Sequence, residues 1–452
     1  MKLALLLSLL GVAAAANYEP TWDSIDSRPL PEWFDEAKIG IFVHWGVFSV
    51  PGFGSEWFWK HWHDDLQQNK TTPYTKLMAE NYRPGFAYHD FGTEFTAELF
   101  DPDKWAELFH NAGAKYVVLT SKHHDGFTLW PSKYSFGWNA KDIGSHRDLV
   151  GELADSVRQY TDMRFGLYHS LYEWFNPLWL QDKENNLTTQ EFALGKILPE
   201  MKELVEAYKP EIIWSDGEWE APDTYWNSTH FLAWLYNDSP VRETVLVNDR
   251  WGSDTHGKHG GFFNWADKFN PGVLLDHKWE NAMSLDRNSW GYRRTIQVSE
   301  VYTVQELIKE IVETVSCGGN ILINVGPTKE GTIIPIFQER LLQLGDWLKI
   351  NGDAIYSSKP WTFQNETEQA GVWYTQREGY VYASVLQWPE NDLLVLHRPQ
   401  VGPNNQILIL GAGDASIVKW HAIDDRIEVN LPRMSRISAP WPWVLKFTDV
   451  TN

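Results

Sequence analysis

The sequence predicts an α/β fold: a (β/α) TIM-like barrel domain followed by an all-β antiparallel sandwich domain. Over about 300 residues, short β-branched runs alternate with helical stretches, which predicts a parallel sheet whose commonest closed form is the barrel. After Trp347 the chain changes to short alternating strands separated by turn residues, as in a sandwich. The predicted barrel covers residues 17–350 and the predicted sandwich residues 351–452.

Seven short apolar runs are predicted as barrel strands: Ile41–Val43, Tyr116–Leu119, Arg164–Tyr168, Glu211–Trp214, Val245–Val247, Val273–Leu275 and Ile321–Val325. A closed barrel needs eight strands, so one strand is short, absent or unmarked by its sequence. The helices predicted between them are Asp103–Ala112, Leu149–Gln159, Leu198–Tyr208 and Val304–Val315. Asp101 before Pro102 is a typical capping pair for the start of the first helix.

The second domain shows five short alternating segments: Gly371–Tyr374, Tyr380–Val385, Leu393–Leu396, Gln406–Leu410 and Trp443–Phe447. Turn residues such as Arg377-Glu-Gly379 and Gly411-Ala-Gly413 separate them. This spacing predicts antiparallel strands.

Composition excludes several classes of protein. The 452 residues carry a formal net charge of −21, which repels phosphate backbones and anionic lipid and argues against nucleic-acid or membrane-surface binding. A single cysteine cannot form an internal disulfide, so stability must come from packing.

The first 16 residues have the features of a signal peptide. Lys2 precedes an apolar run, and alanines from Ala13 to Ala16 suit cleavage before Asn17. We therefore expect a soluble protein of the secretory pathway, either lysosomal or secreted. Five N-glycosylation sequons agree with this route: Asn69, Asn186, Asn227, Asn237 and Asn365.

Polar residues follow the predicted barrel strands. They are His44-Trp-Gly46, Lys122-His-His-Asp-Gly126, Tyr168-His169, Ser215-Asp-Gly-Glu218, Asn248-Asp-Arg250 and Asp276 to Glu280. Carboxyl ends of barrel strands converge on one face, where active sites form. A lone histidine there is more often a satisfied core residue, but six motifs in series favour a functional site.

The residue types suggest a sugar as the ligand. Indole rings offer an apolar stacking surface, and His and Arg offer directional hydrogen bonds. Two carboxylates in such a pocket favour glycoside hydrolysis. Phosphate-loop and serine-nucleophile motifs are absent from the sequence, and its histidine clusters match no zinc motif, so we predict no metal.

The chain resembles the α-L-fucosidases of glycoside hydrolase family 29, in particular the animal lysosomal or secreted type. The segments that carry the resemblance are Trp33–Lys38, His44–Ser49, Gly54–Trp57, Lys122–Phe127, Trp214–Trp219, Asn248–Trp251, Lys278–Glu280, Ser289–Tyr292 and Asn324–Pro327. The resemblance implies a retaining exo-hydrolase that releases α-L-fucose from fucosylated glycans without a cofactor, and a possible homo-oligomer. Where the family usually has a cysteine near Lys278–Glu280, this chain has Ala282, which excludes an essential thiol there.

By this resemblance Asp216 is the nucleophile. Fucose-contacting positions fall on His44, Trp57, His123, His124, Tyr168, Trp214 and Arg250, with Glu56 as a further contact. The residues themselves also favour Asp216, because a retaining mechanism needs an ionised carboxylate at the anomeric carbon.

Two carboxylates compete for the role of general acid. Glu280 has Trp279 beside it, and an apolar ring can help to raise the pKa of a proton donor. Asp267 is the last residue of the segment Gly261–Asp267, a plausible strand followed by a loop on the catalytic face. The two are nearly even, with a slight preference for Glu280. A fucose-binding lectin, an inactive paralogue and a glycosidase of other specificity are the alternative functions.

Overall fold

The computed structural model describes residues 17–366, 368–413, 416–437 and 441–452; the predicted signal peptide lies outside them. Seven parallel strands form the first sheet: β1 (Ile39–Val43), β2 (Tyr116–Lys122), β3 (Arg164–Ser170), β4 (Ile212–Asp216), β5 (Leu246–Val247), β6 (Glu280–Ser284) and β7 (Asn320–Val325). Their order is β5-β4-β3-β2-β1-β7-β6. The parallel sheet that the sequence predicts is thereby confirmed.

One predicted strand is wrong. Val273 and Leu274 lie in an irregular segment and are 55% and 48% exposed, so this run forms no buried strand. The strand of this region is β6, which begins at Glu280. The predicted motif Asp276 to Glu280 therefore precedes a strand instead of following one.

Residues 261–264 fill the gap between β5 and β6. The amide of Phe262 donates to Val247 of β5, and the amide of Phe263 donates to Lys278 just before β6. Phe262 also packs in the barrel interior with inward side chains of the regular strands. The inward residues of the other strands are Phe42, Tyr116, Val118, Tyr168, Ile212, Trp214, Leu246, Ala282 and Leu322. This short segment therefore takes the place of the eighth strand.

Helices pack around the sheet. They are α1 (Trp22–Asp26), α2 (Glu32–Ala37), α3 (Phe58–Gln67), α4 (Pro73–Asn81), α5 (Pro102–Asn111), α6 (Leu149–Tyr160), α7 (Pro177–Glu184), α8 (Leu198–Tyr208), α9 (Asp223–Trp226), α10 (Ser228–Asn237), α11 (Val304–Ser316) and α12 (Pro335–Asn351). The four predicted helices correspond to α5, α6, α8 and α11. Asp101 caps α5 as predicted, since its side chain accepts from the amide of Lys104. The predicted domain boundary falls at the end of α12 and stays a prediction.

The second domain is one antiparallel sheet of eight strands. They are β8 (Lys359–Asn365), β9 (Val372–Arg377), β10 (Tyr380–Val385), β11 (Leu393–Leu396), β12 (Ile407–Ile409), β13 (Ile417–Ile423), β14 (Arg426–Asn430) and β15 (Trp443–Phe447), in the order β11-β14-β13-β12-β15-β10-β9-β8. Every strand contributes to one buried cluster. The two edge strands approach each other, because Glu366 after β8 accepts from the amides of His397 and Arg398 after β11.

Asp35 on α2 joins the two domains. Its carboxylate accepts hydrogen bonds from Lys38 at 2.7 Å, from Lys278 at 2.6 Å, and from Lys359 on β8. Lys38 is fully buried, so its charge depends on this partner. Removing one partner of a buried ion pair costs far more stability than removing one partner of an exposed pair.

We therefore expect Asp35→Asn to lower the free energy of unfolding by about 3 kcal/mol. Chemical denaturation followed by tryptophan fluorescence measures the change. Asp353→Asn is the matched control, since Asp353 is 61% exposed where it meets Arg377 and such pairs contribute about 1 kcal/mol or less. Equal effects of the two substitutions would contradict the role of Asp35.

Candidate active site

A cavity of about 200 Å³ opens at the carboxyl ends of the barrel strands. This is smaller than the roughly 300–1,000 Å³ of pockets for drug-sized ligands and suits one small ring. Its lining consists of Phe42, His44, Glu56, Trp57, His123, His124, Tyr168, Trp214, Asp216, Trp219, Arg250, Asp267 and Trp290. Every predicted sugar contact and two of the three predicted catalytic carboxylates are therefore brought together.

Asp216 is the last residue of β4 and is 8% exposed. Its Oδ2 accepts from the hydroxyl of Tyr168 at 2.7 Å, and its Oδ1 accepts from Nη1 of Arg250 at 2.7 Å. Burial alone would raise the pKa of Asp216, but the charge of Arg250, nearby His124 and these hydrogen bonds hold it below the ordinary value. The site thus keeps an ionised carboxylate in a water-poor pocket.

Arg250 links both carboxylates of the cavity. Its Nη2 donates to Oδ1 of Asp267 at 2.6 Å and also to the side-chain oxygen of Asn264. Its guanidinium lies 4.7 Å from the centre of the Trp214 ring, a cation–π contact. Asp267 differs from Asp216 in exposure, because half of its side chain is open to solvent.

His44 is a neutral hydrogen-bond acceptor toward the cavity. Burial lowers its pKa to about 4. Asn324 donates its amide protons to Trp290 and Ser284, so its Oδ1 accepts from Nδ1 of His44 at 2.7 Å. The proton of the neutral ring therefore resides on Nδ1, and Nε2 remains free to accept from a sugar hydroxyl.

His124 has the same tautomer. The hydroxyl of Ser170 donates to the carbonyl of Tyr172, so it accepts from Nδ1 of His124 at 2.6 Å. Burial lowers the pKa of His124 to about 4, and its Nε2 lies 3.6 Å from Oδ2 of Asp216. A ligand hydroxyl bound beside Asp216 can thus donate to His124.

A buried network of charged side chains fixes the turn that carries His123 and His124. Lys122 pairs with Glu173 at 2.8 Å, and Lys196 pairs with both Glu173 and Glu200 at 2.6 Å. These side chains are at most 6% exposed. Lys196 lies on a π-helical turn, Ala193–Ile197, a feature often found near functional sites. The network anchors the residue that directly precedes His123.

Glu56 anchors the opposite wall. Its Oε2 accepts from the backbone amides of Trp290 and Gly291 at 3.0 and 3.1 Å. The loop after β6 is thereby held so that Trp290 lines the cavity. Burial raises the pKa of Glu56 despite these bonds.

Comparison with known proteins decides the family. A family model described as "Alpha-L-fucosidase" matches residues 6–353, and one described as "Alpha-L-fucosidase C-terminal domain" matches residues 364–448. Tissue alpha-L-fucosidase of Homo sapiens is 55% identical over 99% of this chain and 97% of its own length. The chain belongs to the α-L-fucosidase family.

Further relatives agree with this membership. Plasma alpha-L-fucosidase of Homo sapiens is 52% identical, with 97% of this chain and 94% of the relative covered. The Thermotoga maritima alpha-fucosidase solved in complex with fucose is 32% identical, covers 95% of this chain and 100% of its own, and has a TM-score of 0.81. This member of the α-L-fucosidase family is accordingly a glycoside hydrolase.

Glu280 does not reach the cavity of this α-L-fucosidase family member. As the first residue of β6 it lies at the amino end of the barrel and has no exposed surface. Its carboxyl group accepts from the Tyr116 hydroxyl at 2.6 Å and from Nε1 of Trp214 at 3.0 Å. Glu280 therefore supports the underside of Trp214, and the preference for it as the general acid finds no support in its position.

The buried position of Glu280 predicts a pH-dependent stability. Burial raises its pKa to about 7, whereas glutamate in an unfolded chain has a pKa of about 4.3. Between these pH values only the folded state holds the proton, so stability falls as pH rises. We expect the free energy of unfolding of Glu280→Gln to rise by about 2–3 kcal/mol relative to that of the parent when the pH is raised from 4.5 to 8. Denaturation at both pH values measures this, and a constant difference would contradict it.

Three cavity residues are absent from the predicted site: Phe42, Trp219 and Trp290. Phe42 points into the barrel from β1. Side chains alternate between the two faces of a strand, and this alternation could have identified Phe42. Trp219 follows Asp216 by three residues in a 3-10 turn, Glu218–Glu220. Trp290 owes its place to Glu56, a contact between distant segments that no local pattern reveals.

The structure separates the sequons by accessibility. Asn69 and Asn186 are exposed, and Asn227 and Asn365 are half-buried. Asn237 is also half-buried, and its side chain exchanges two hydrogen bonds with the backbone of Tyr18. Among the described residues, no group of three His, Cys, Asp or Glu side chains could hold a metal ion.

Proposed function

We propose that the protein is a retaining exo-α-L-fucosidase with Asp216 as nucleophile and Asp267 as general acid/base. The main support is that the guanidinium of Arg250 binds both carboxylates at the wall of a cavity sized for one small ring. A retaining glycosidase uses two carboxyl groups about 5–5.5 Å apart that flank the glycosidic bond. The membership in the α-L-fucosidase family supplies the sugar.

In the first step the Asp216 carboxylate attacks the anomeric carbon of α-L-fucose. The glycosidic C–O bond breaks, and the departing oxygen takes a proton from Asp267. The product is a β-linked fucosyl ester on Asp216. When Asp267 carries the proton it is neutral and no longer needs the charge of Arg250. Arg250 then keeps its hydrogen bonds to Asp216 and Asn264.

In the second step a water molecule gives a proton to the Asp267 carboxylate and attacks the same carbon. The ester bond to Asp216 breaks, and fucose leaves in its original α configuration. The half-exposed side chain of Asp267 suits this alternation, since it must meet both the leaving group and the incoming water.

The surrounding residues hold the sugar. His44 and His124 present unprotonated Nε2 atoms that accept from fucose hydroxyls, and the Trp57 and Trp290 rings offer apolar surface. Tyr168 donates to the nucleophile and orients it. Trp214, held by Glu280, supports Arg250 from below.

An assay with aryl α-L-fucoside and aryl galactosides tests the proposed function. We expect release from the fucoside and essentially none from the galactosides. Binding of fucose without turnover by folded protein would favour a lectin or an inactive paralogue, and preferential galactoside hydrolysis would favour another specificity.

The proposed setting is the secretory pathway, with the protein lysosomal or secreted and fucosylated glycans as its substrates. The predicted signal peptide and the accessible sequons at Asn69 and Asn186 support this. Within the described residues no helix is long and apolar enough to cross a membrane. Fractionation of native tissue tests the setting, and recovery of the protein from cytosol would contradict it.

A further inference from the structure

Trp219 is an exposed aromatic ring at the mouth of the active-site cavity. Its side chain lines the cavity, yet it is 43% exposed, unlike the nearly buried rings of Trp214 and Tyr168. The ring therefore offers a large apolar surface to a ligand at the mouth of the cavity.

The backbone after the nucleophile directs Trp219 to this place. Gly217 has a positive φ of 81°, and a Cβ there would lie 2.5 Å from the ring of Tyr172. The chain therefore turns sharply after Asp216 into a 3-10 turn whose first residue, Glu218, is buried. This turn returns Trp219 to the rim of the cavity.

Aromatic contacts hold Trp219 in place while 43% of the residue stays open to solvent. Trp219 meets His124 and Tyr172 at interplanar angles of 81° and 74°, both edge-to-face contacts. It is nearly parallel to Trp57, at 25° and 6.3 Å between ring centres. Glu220, the next residue along the chain, forms an ion pair with Lys183 at 2.6 Å. An aromatic face with charged hydrogen-bonding groups at its side is the chemistry that recognises a pyranose ring.

We propose that Trp219 forms a leaving-group subsite that stacks on the neutral sugar to which fucose is attached. This inference rests on the proposed function, because it places the fucose ring inside the cavity and the next sugar at its rim. The cavity holds a single small ring, and the half-exposed Asp267 marks where the glycosidic oxygen emerges. The sugar beyond that oxygen lies outside the cavity, where Trp219 is the most exposed aromatic ring of the lining.

The test compares two substrates that differ in the leaving group. α-L-Fucosyl fluoride has no leaving ring, whereas a fucosyl-galactose disaccharide has one. In Trp219→Ala we expect kcat/KM for the disaccharide to fall about two- to tenfold further than kcat/KM for the fluoride, as aromatic stacking implies. Trp219→Phe, which keeps an aromatic face, should recover at least half of the loss.

Phe136→Ala is the matched control, since Phe136 is 92% exposed and does not line the cavity. This variant should leave kcat/KM for both substrates unchanged. An equal loss on both substrates, no loss on either, or no difference between the Ala and Phe variants would overturn the subsite. A parent protein that leaves fucosyl fluoride intact would overturn the proposed function and, with it, the subsite.

Discussion

Asp216→Asn should give a folded protein whose fucoside turnover falls by a factor of the order of 10⁴ or more, as when a covalent nucleophile is removed. The amide cannot form the glycosyl ester, and it also loses the charge that Arg250 and Tyr168 stabilise in the parent. Steady-state hydrolysis of an aryl α-L-fucoside measures the loss. Circular dichroism should be unchanged, because the amide oxygen can accept from Arg250 while the amide nitrogen donates to the hydroxyl oxygen of Tyr168.

Chemical rescue separates loss of the nucleophile from loss of structure. Asp216→Gly leaves space beside the anomeric carbon, and azide can attack there in place of the carboxylate. Because attack comes from the face that Asp216 occupied, the product is β-L-fucosyl azide. A trapping experiment adds a direct assignment: a 2-fluoro-fucosyl reagent should label the peptide that carries Trp214 to Trp219. Labelling elsewhere, or substantial activity of Asp216→Asn, would contradict the assignment.

The position of Asp216 could be predicted because the barrel follows a simple rule. An apolar run from Glu211 to Trp214 marks a buried parallel strand, and the polar residues after it lie on the active face. The same rule places His44, Tyr168 and Arg250. Each of these residues follows, or lies within, a strand whose hydrophobic signal is strong.

The rule fails where the strand itself lacks that signal. The strand β6 has the sequence Glu-Asn-Ala-Met-Ser. Two of its buried polar side chains are hydrogen-bonded inside the protein: Glu280 to Tyr116 and Trp214, and Ser284 to a backbone carbonyl. Tyr116 and Trp214 are distant from Glu280 in sequence. Hydropathy therefore favours the apolar run Val273–Leu275 as the strand, although this run is a surface loop. With the strand placed there, Glu280 is predicted to follow it at the carboxyl end of the barrel, whereas it begins β6 at the amino end.

The second domain shows a signal that was present but missed. Ile427 and Val429 alternate with polar residues on β14, and Asp424-Asp425 forms the two-residue turn that joins β13 to β14. Alternation around such a turn predicts a hairpin. Trp290 is different, since its contact with the distant Glu56 holds it at the cavity.

Asp267→Ala should slow a substrate with a poor leaving group by about 10²–10⁴-fold, the usual contribution of a general acid. A substrate with an activated leaving group needs no proton for its departure, so its first step should be nearly unaffected. The measurement is kcat/KM for a series of aryl α-L-fucosides that differ in the pKa of the leaving phenol. The dependence on that pKa should be much steeper in the variant than in the parent.

Azide distinguishes the two catalytic carboxylates by stereochemistry. In Asp267→Ala the ester on Asp216 still forms, and azide can attack it without a general base, so turnover of the activated substrate should recover. This attack comes from the face opposite Asp216 and yields α-L-fucosyl azide, the anomer opposite to that expected from Asp216→Gly. Glu280→Ala is the matched comparison: because Glu280 lies beneath Trp214 and outside the cavity, it should slow all fucosides in the same proportion and gain nothing from azide. If Glu280→Ala instead shows the steep leaving-group dependence and the azide rescue, the acid is Glu280 and its position in the fold must change during catalysis.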